Sequence, residues 1–173
     1  MAIIIDETKK VMIQGITGRE GRARTRLMRE FGTNVVGGCT PGKGGQEVEG
    51  IPVHDKVSEV IEATGGVDVS VVFVPARLVK SAAVEAIEAG THPVIFSDNV
   101  AIKNELSLKK QARELGLLVM GPDCGTVILD GVGLGFANVI PAGPIGLISA
   151  SGTGAQQVLA LCDHAGVGVR HVL

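Results

Sequence analysis

The first segment able to do chemistry is a glycine-rich turn that follows the first predicted strand. It has the sequence GITGREG and contains Gly15, Gly18 and Gly21. Glycines permit a tight turn and close backbone approach, and the helix that follows presents unpaired N–H groups to an anion. The spacing differs from the G-x-G-x-x-G of dinucleotide-binding folds. We predict that this turn binds a phosphate, with a purely structural turn as the alternative.

A second glycine-rich loop, GGCTPGKGG at residues 37–45, carries Lys43. A site for NAD has an acidic residue about 20 residues after the first glycines, where it binds a ribose hydroxyl. This loop contains no acid, and lysine binds phosphate as a point charge. We therefore expect Lys43, beside a cluster of backbone amides, to bind a phosphate near the ribose of NADP or coenzyme A. A solvated loop lysine is the alternative.

Polar residues follow the fourth predicted strand, in the sequence FSDN at residues 96–99. Ligands of an open α/β sheet bind outside the carboxyl ends of its strands. Ser97 and Asp98 are therefore candidates to bind hydroxyl or amide groups of a ligand. They are equally suited to begin a turn or to cap the next helix.

Two later segments also combine reactive or polar residues with glycine. Cys124, in GPDCG, either lines a thioester site or fills the core as a small hydrophobe. The sequence SASGTG at residues 149–154 offers hydroxyls and backbone N–H groups to a phosphate or carboxylate, with a plain helix cap as the alternative. It is neither a Walker A loop nor a hydrolase elbow. The four histidines lie at no ligand spacing from Cys, Asp or another His, so we predict no metal site.

The elements that must position these residues alternate between short apolar runs and helical patterns. Such alternation predicts an α/β fold with a parallel sheet covered by helices on both faces. The predicted strands are residues 11–16, 34–38, 68–74, 93–97 and 117–120, the predicted helices are 20–31, 56–64, 78–89 and 104–115, and residues 42–50 are predicted as a loop.

The pattern changes after residue 122. Residues 123–143 predict a linker with room for a small hairpin, and residues 144–173 predict one β-α-β unit, with strands at 145–149 and 167–173 and a helix at 154–165. Residues 1–122 form the first predicted domain. A lone β-α-β unit cannot bury its own faces. It packs on the first sheet, continues into a longer protein or is completed by a partner, and we favour the last two together.

Composition excludes several classes of protein. The chain has 173 residues, 45% of them hydrophobic and 20% charged, which is typical of a globular fold and not of a disordered chain. A net charge of −2, no Trp or Tyr and only four Phe argue against binding to nucleic acid or to an anionic membrane. The start MAIIID lacks the basic region of a signal peptide, and no run of about 18–20 apolar residues predicts a membrane span. Three widely spaced cysteines favour a reducing, cytoplasmic compartment.

Together these motifs resemble the N-terminal, coenzyme A-binding half of the α subunit of succinyl-CoA synthetase, over essentially the whole chain. The matching segments are Q-G-x-T-G-x-x-G at residues 14–21, G-G-x-T-P-G-K-G-G at 37–45, V-P-A at 74–76, E-A-I-x-A-G at 85–90, G-P-x-C at 121–124 and S-x-S-G-T at 149–153. Asp123 and the residues at 135–139 and 151–157 are more similar to the FdrA-type branch of that superfamily.

The resemblance implies a Rossmann-like domain followed by the start of a flavodoxin-like domain. It implies that coenzyme A crosses the first domain, with Cys124 toward its thiol. The implied contacts are Thr17, Gly18, Arg19, Glu20, Lys43, Phe96, Ser97 and Asp98. Ser151, Gly152 and Thr153 would hold an acyl or phosphoryl group. The family joins an acid to coenzyme A through an acyl phosphate and a phosphohistidine, using a nucleoside triphosphate on a partner subunit.

Several positions depart from the family pattern. The family's phosphohistidine lies beyond residue 173, so we assign no catalytic residue and predict no turnover by this chain alone. Gln156 replaces a tyrosine near the acid site, while Arg19-Glu20 replaces Ser-Gln and Ser97-Asp98 replaces Thr-Glu.

Three functions remain open at this point. The chain is a coenzyme A-binding subunit or part of an acid–CoA ligase, completed by a β-type subunit or a C-terminal half and forming an oligomer. It is alternatively a non-catalytic nucleotide-binding regulator, or a component of an FdrA-type carbamoyltransferase.

Overall fold

A computed structural model describes residues 5–136 and 140–173. Its elements in chain order are β1 (Val11–Gln14), α1 (Arg19–Phe31), β2 (Val35–Cys39), β3 (Glu47–Val48), β4 (Ile51–His54), α2 (Val57–Thr64), β5 (Val69–Val72), α3 (Ala76–Glu88), β6 (His92–Ile95), α4 (Ile102–Glu114), β7 (Thr126–Leu129), β8 (Val132–Gly135), β9 (Ile145–Leu147), α5 (Gly152–His164) and β10 (Val169–Val172). Residues 1–4 lie outside the described residues. So do 137–139, which belong to the FdrA-like segment at 135–139.

The first sheet has the strand order β3-β4-β2-β1-β5-β6. Strands β4, β2, β1, β5 and β6 run parallel, and β3 pairs antiparallel with β4. All four residues of β1 and of β5 are buried, as expected for strands covered on both faces. The predicted α/β architecture is confirmed.

Neighbouring residues of β1 point to opposite faces of the sheet, and both faces are covered by helices. Val11 and Ile13 join a buried cluster with Met28 of α1. Met12 points the other way and packs with Val57 and Val60 of α2. Helices α3 and α4 pack together in a further cluster that includes Ile95 of β6.

The hairpin β3–β4 was missed by the prediction of a loop at residues 42–50. Its strands are short, and its turn places Glu49 and Gly50 at φ values of 51° and 76°. Two central residues with positive φ are the geometry of a type I′ turn, for which Asn-Gly or Asp-Gly is the usual signal. Glu-Gly does not carry that signal, so the sequence pattern concealed the hairpin.

The predicted strand at residues 117–120 is wrong. Only Met120 pairs with β6, through a single parallel bridge to Val94. Leu118 donates its N–H to Nδ1 of His92 at 3.1 Å, and not to a strand carbonyl. Met120 donates to the carbonyl oxygen of Pro93 at 3.0 Å and accepts the N–H of Ile95 at 2.8 Å, whereas Leu117 donates back to Ala112 of α4 at 2.8 Å. The segment therefore meets β6 at one residue and forms no strand of its own.

A second sheet has the order β8-β7-β10-β9. The small hairpin expected within residues 123–143 is β7–β8, and β10 joins it by pairing antiparallel with β7 and parallel with β9. Val127 and Leu134 of the hairpin belong to the buried cluster of the first sheet, whereas Ile128 packs with Leu159 of α5. The hairpin thus packs both on the first sheet and on α5. The domain boundaries at 122 and 143 stay a prediction.

Among the described residues, no helix combines the length and apolar character required to cross a membrane.

Candidate functional site

The glycine-rich turn joins β1 to α1 at the centre of the first sheet. Gly15 has a φ of 78°, and a Cβ there would lie 2.6 Å from the carbonyl oxygen of Phe73. A Cβ on Gly21 would lie 2.3 Å from the carbonyl oxygen of Gly15. These two glycines therefore let the start of α1 sit directly on the turn and beside the end of β5.

The N-terminus of α1 remains open for a ligand. Gly18 is the N-cap residue and no side chain caps the helix, so the first N–H groups lack an intrahelical partner. Glu20 lies in this first turn and is approached by Arg19 at 3.4 Å and by Arg24 at 3.0 Å. The two guanidinium groups offset the charge of the carboxylate, which would otherwise oppose an anion at this helix end.

The lysine loop has a different arrangement from the one expected. The N–H groups of Lys43 and Gly44 each donate to Oδ1 of Asp55 at 2.9 Å. These hydrogen bonds, that of Gly44 first, lower the pKa of the Asp55 carboxyl below its ordinary value. The amides of Lys43 and Gly44 therefore already have the Asp55 carboxylate as an acceptor, and Lys43 as a phosphate ligand stays a prediction. The exposed side chain of Lys43 remains the cationic group of the loop.

The segment after β6 is fixed by the backbone of neighbouring segments. The hydroxyl of Ser97 donates to the carbonyl oxygen of Val74, and the carbonyl of Ser97 accepts the N–H of Asp123 at 3.0 Å. Helix α4 has Ala101 as N-cap with no side-chain cap. Ser97 and Asp98 therefore do not cap this helix, which removes one of the two alternatives for them.

Three phenylalanines form a wall beside this segment. The ring centroid of Phe96 lies 4.8 Å from that of Phe73 and 5.1 Å from that of Phe136. The guanidinium carbon of Arg24 lies 3.7 Å from the ring centroid of Phe136, a cation–π contact. This wall connects the end of β5, the end of β6 and the end of β8.

Two adjoining cavities lie along the carboxyl ends of β1, β5 and β6. The first, of about 350 Å³, has walls that include Gly15, Thr40, Pro41, Asp55, Leu78 and Glu85. The second, of about 650 Å³, has walls that include Arg19, Glu20, Arg24, Ser97, Asp98 and Phe136. Gly18, Phe73, Val74 and Pro75 line both cavities, so the two form one groove.

Most of the predicted contact residues meet in this groove. Thr17 lines the first cavity, Gly18 lines both, and Arg19, Glu20, Phe96, Ser97 and Asp98 line the second. Lys43 lines neither, and reaches the first cavity only through the hydrogen bond of its N–H to Asp55.

A third cavity, of about 300 Å³, adjoins the second through Asp123 and Gly125. Its walls include Cys124, Ser149 and Gly152. Burial, and then the neighbouring Asp123 carboxylate, raise the pKa of the Cys124 thiol to about 11. Cys124 also packs against the main buried cluster, so it is a protonated, partly buried thiol at neutral pH.

Ser151 acts as the N-cap of α5, with its Oγ accepting the N–H of Gly154 at 3.1 Å. The plain helix cap, the alternative for this segment, is thus present. Ser151, Gly152 and Thr153 are all exposed, and of the three Gly152 lines the third cavity. Nε2 of Gln156 donates to Oγ1 of Thr126 at 2.7 Å and to the carbonyl oxygen of Phe136 at 2.8 Å, which ties α5 to the hairpin.

Sequence reasoning missed three residues of the groove. Asp55 follows the unpredicted strand β4, and Arg24 meets Phe136 only through the second sheet. Glu85 lines the first cavity, and its Oε1 accepts the N–H of Val57 at 2.9 Å.

Burial, followed by the charges of Glu85 and Glu59, raises the pKa of the Cys39 thiol to about 12. In residues 5–136 and 140–173, no cluster of three or more His, Cys, Asp or Glu side chains could hold a metal ion.

The strand order and the site together define a class of protein. The five parallel strands lie in the order β4-β2-β1-β5-β6. When only these strands are numbered along the chain, without the antiparallel β3, the order is 3-2-1-4-5, as in a Rossmann-like nucleotide-binding fold. The groove opens between β1 and β5, the topological switch point at which such sheets bind ligands.

The chain belongs to the CoA binding domain family, whose model matches residues 6–97. This confirms the predicted coenzyme A-binding domain. The succinate–CoA ligase [ADP-forming] subunit alpha 1 of Archaeoglobus fulgidus is 39% identical over 172 residues, which cover 97% of this chain and 59% of the relative. The malate–CoA ligase subunit alpha of Methylorubrum extorquens is 36% identical over 177 residues, which cover 98% of this chain and 60% of the relative.

The chain thus spans about 60% of the length of these curated relatives. The predicted similarity to ligase α subunits is confirmed. The fold is also similar to that of ATP citrate lyase from Methanothrix soehngenii in complex with citrate and coenzyme A, with a TM-score of 0.85 and 17% identity, covering 98% of this chain and 31% of that chain.

Proposed function

We propose that this chain binds coenzyme A along the groove and serves as the coenzyme A-binding part of an NTP-dependent acid–CoA ligase. The observation that carries the proposal is the groove itself. It combines an apolar cavity, an uncapped helix N-terminus with two arginines, and a thiol-lined cavity in that order along the switch point of a CoA-binding fold.

The proposed direction of the ligand follows from the chemistry of the walls. The first cavity has Pro41, Pro75 and Leu78 in its walls and suits a flat heteroaromatic base. The N-terminus of α1, with Arg19, suits the diphosphate. The pantetheine chain then passes Phe96 toward Cys124, which orients the ligand thiol toward the third cavity.

The proposed contacts are those implied by the family resemblance. They are Thr17, Gly18, Arg19 and Glu20 in the first turn, Lys43 for the ribose phosphate, and Phe96, Ser97 and Asp98 after β6. Ser151, Gly152 and Thr153 are proposed to hold an acyl or phosphoryl group at the start of α5. Because Ser151 Oγ already accepts an N–H, the backbone of Gly152 and Thr153 is the more available part of this segment.

The proposal includes a partner. A β-type subunit or a further half of the same chain would supply the phosphohistidine and the nucleotide site, so we expect an oligomer in the complete enzyme and no turnover by residues 1–173 alone. The relatives named above act on different acids, succinate and malate, and the proposal therefore extends to a carboxylic acid without naming one. A cytoplasmic location is part of it and rests on the cysteine pattern.

Calorimetry with coenzyme A and with dephospho-coenzyme A tests the binding step. We expect the chain to bind coenzyme A more tightly, because the 3′-phosphate adds a charged group that Lys43 can pair with. Lys43→Ala should lower the affinity for coenzyme A about tenfold and leave the affinity for dephospho-coenzyme A unchanged. Lys103→Ala, which removes an exposed lysine of α4 outside the groove, is the matched control and should change neither.

Two results would count against the proposal. Absence of coenzyme A binding by the wild-type chain refutes it, and equal affinity for both ligands removes Lys43 from its assigned role. Acid-dependent formation of an acyl-CoA on addition of a β-type subunit and the C-terminal part of a ligase α subunit would support the ligase assignment. Binding without any such turnover would instead favour the non-catalytic regulator.

A further inference from the structure

One carboxylate organises the glycine-rich lysine loop. Asp55 Oδ1 accepts the N–H groups of both Lys43 and Gly44 at 2.9 Å. These two amides lie at the tip of the loop, and the N–H of Lys43 also donates to the carbonyl oxygen of Thr40 at 3.0 Å. The other hydrogen bonds near the tip run between backbone groups. The N–H of Thr40 donates to His54 and that of Gly45 donates to Val53, both at 2.9 Å. Asp55 is therefore the side chain that secures the tip to the strand beside it.

The glycines of the loop are explained by the same arrangement. Gly42 and Gly45 have φ values of 74° and 81°, which disfavour any other residue. Gly44 has no such requirement, yet a Cβ there would lie 2.9 Å from Oδ2 of Asp55. A side chain at position 44 would push away a carboxylate that two hydrogen bonds hold in place.

Asp55 is itself oriented by the start of α2. Its N–H donates to Oε2 of Glu59 at 3.0 Å, one turn further along the chain. The residue thus connects three features: the loop tip, the first turn of α2 and the wall of the first cavity, which its side chain lines.

We propose that Asp55 is a positioning residue that clamps the tip of the lysine loop and thereby lets Lys43 discriminate a ligand with a ribose phosphate from one without it. This inference rests on the proposed coenzyme A binding, and it assigns Asp55 no contact with the phosphate. The negative charge of Asp55 would repel a phosphate, so its contribution comes from ordering the loop and not from attraction.

The test combines amide exchange, which needs no ligand, with ligand discrimination. In Asp55→Ala, we expect the amide of Gly44 to exchange with deuterium at least about tenfold faster than in the wild type. The amide of Lys43 should change less, because its N–H also donates to the carbonyl oxygen of Thr40 at 3.0 Å. The preference for coenzyme A over dephospho-coenzyme A should fall toward one. Asp55→Asn keeps an acceptor oxygen and should retain both the protection and the preference. Glu47→Gln, which removes a carboxylate charge from exposed Glu47 of β3 in the same hairpin, is the matched control.

A second, independent perturbation uses the close approach at Gly44. Gly44→Ala should displace the carboxylate and reproduce both effects of Asp55→Ala. Because the clash requires the Asp55 side chain, adding Gly44→Ala to Asp55→Ala should change neither exchange nor preference any further. Additive effects in this double-mutant cycle would overturn the clamp.

The remaining outcomes separate this inference from the proposed function. If the wild-type chain does not bind coenzyme A, the proposed function fails and with it the role in discrimination. The clamp itself is then judged on exchange, and unchanged exchange in Asp55→Ala overturns it. If coenzyme A binds but Asp55→Ala and Asp55→Asn both increase the preference for it to the same degree, the charge of Asp55 acts only by repulsion and the inference is wrong.

Discussion

Replacing Gly21 by alanine tests how closely α1 is seated on the glycine-rich turn. In an ordinary helix interior, glycine to alanine stabilises by about 0.5–1 kcal/mol, because alanine has the higher helix propensity. Gly21 is buried in the first turns of α1. We predict the opposite sign here, a loss of stability.

The predicted magnitude comes from the backbone atoms around this position. A Cβ on Gly21 would lie 2.3 Å from the carbonyl oxygen of Gly15 and 2.8 Å from the Cα of Ile16. Backbone atoms cannot rotate away as a side chain can, so α1 and the turn must separate. Such overpacking costs typically about 1–3 kcal/mol. Because the opposing atoms are backbone and the distances are short, we take the upper part of this range, about 2–3 kcal/mol. Subtracting about 1 kcal/mol for the helix propensity of alanine leaves an expected net loss of about 1–2 kcal/mol.

The measurement is urea unfolding of the wild type and the variant, with the midpoint and slope fitted separately. A chain of this length should also lose roughly 2–8 °C in Tm for a loss of 1–2 kcal/mol. Gly152→Ala is the matched control, because Gly152 is also helical and a Cβ there has no atom within 4 Å. We expect it to change stability by less than about 0.5 kcal/mol.

The same variant reports on the ligand site. Separation of α1 from the turn moves the open N–H groups after Gly18, so coenzyme A binding should weaken along with stability. A Gly21→Ala variant as stable as the wild type, or more stable, would refute the argument that this glycine exists for the contact between helix and turn.

Three further predictions concern other parts of the chain. Gln156→Leu removes the donor to Thr126 and Phe136 and should lower the free energy of unfolding in urea by about 1–3 kcal/mol. The same change at exposed Gln157 should be neutral, and equal losses at both positions would contradict the hydrogen bonds between α5 and the hairpin. Alkylation of Cys124 by iodoacetamide, followed by mass spectrometry, should accelerate about tenfold per pH unit from pH 8 to 10, because its pKa is raised to about 11; a plateau near pH 9 would contradict that pKa. Folding lowers the pKa of Asp55 below 3.8. The stability that Asp55 contributes is therefore present above pH 3.8 and is lost as the pH falls through the lowered pKa. We expect the loss of stability with falling pH to be less steep in Asp55→Asn than in the wild type, as measured by acid unfolding.

The local sequence was sufficient to predict most helices and strands of the first sheet and the helices that cover it. Strands β1, β2, β5 and β6 and helices α1 to α4 follow apolar runs and helical periodicity that a short window contains. The hairpin β3–β4 was missed because its turn lacks the usual residues. The strand expected at 117–120 is limited to a single bridge at Met120, with the N–H of Leu118 donating to His92. The first error arose from a local turn signal that is absent, and the second from contacts with a strand outside the window.

The sequence by itself determined where a site could be. Glycines at positions 15, 18 and 21, the lysine loop and the polar residues after β6 all stand at the carboxyl ends of strands, and parallel strands bring those ends to one edge of the sheet. That reasoning needs only chain order and the direction of each strand, so the groove could be anticipated without a structure.

Only the tertiary structure decided which groups are free to act in that site. Asp55 accepts the N–H groups of Lys43 and Gly44, and Phe136, which follows the second sheet's strand β8, lies against Arg24. Which acceptors a given N–H group meets depends on distances between segments that are not neighbours in the sequence. Those distances are set by how strands and helices pack, which no local pattern of residues encodes.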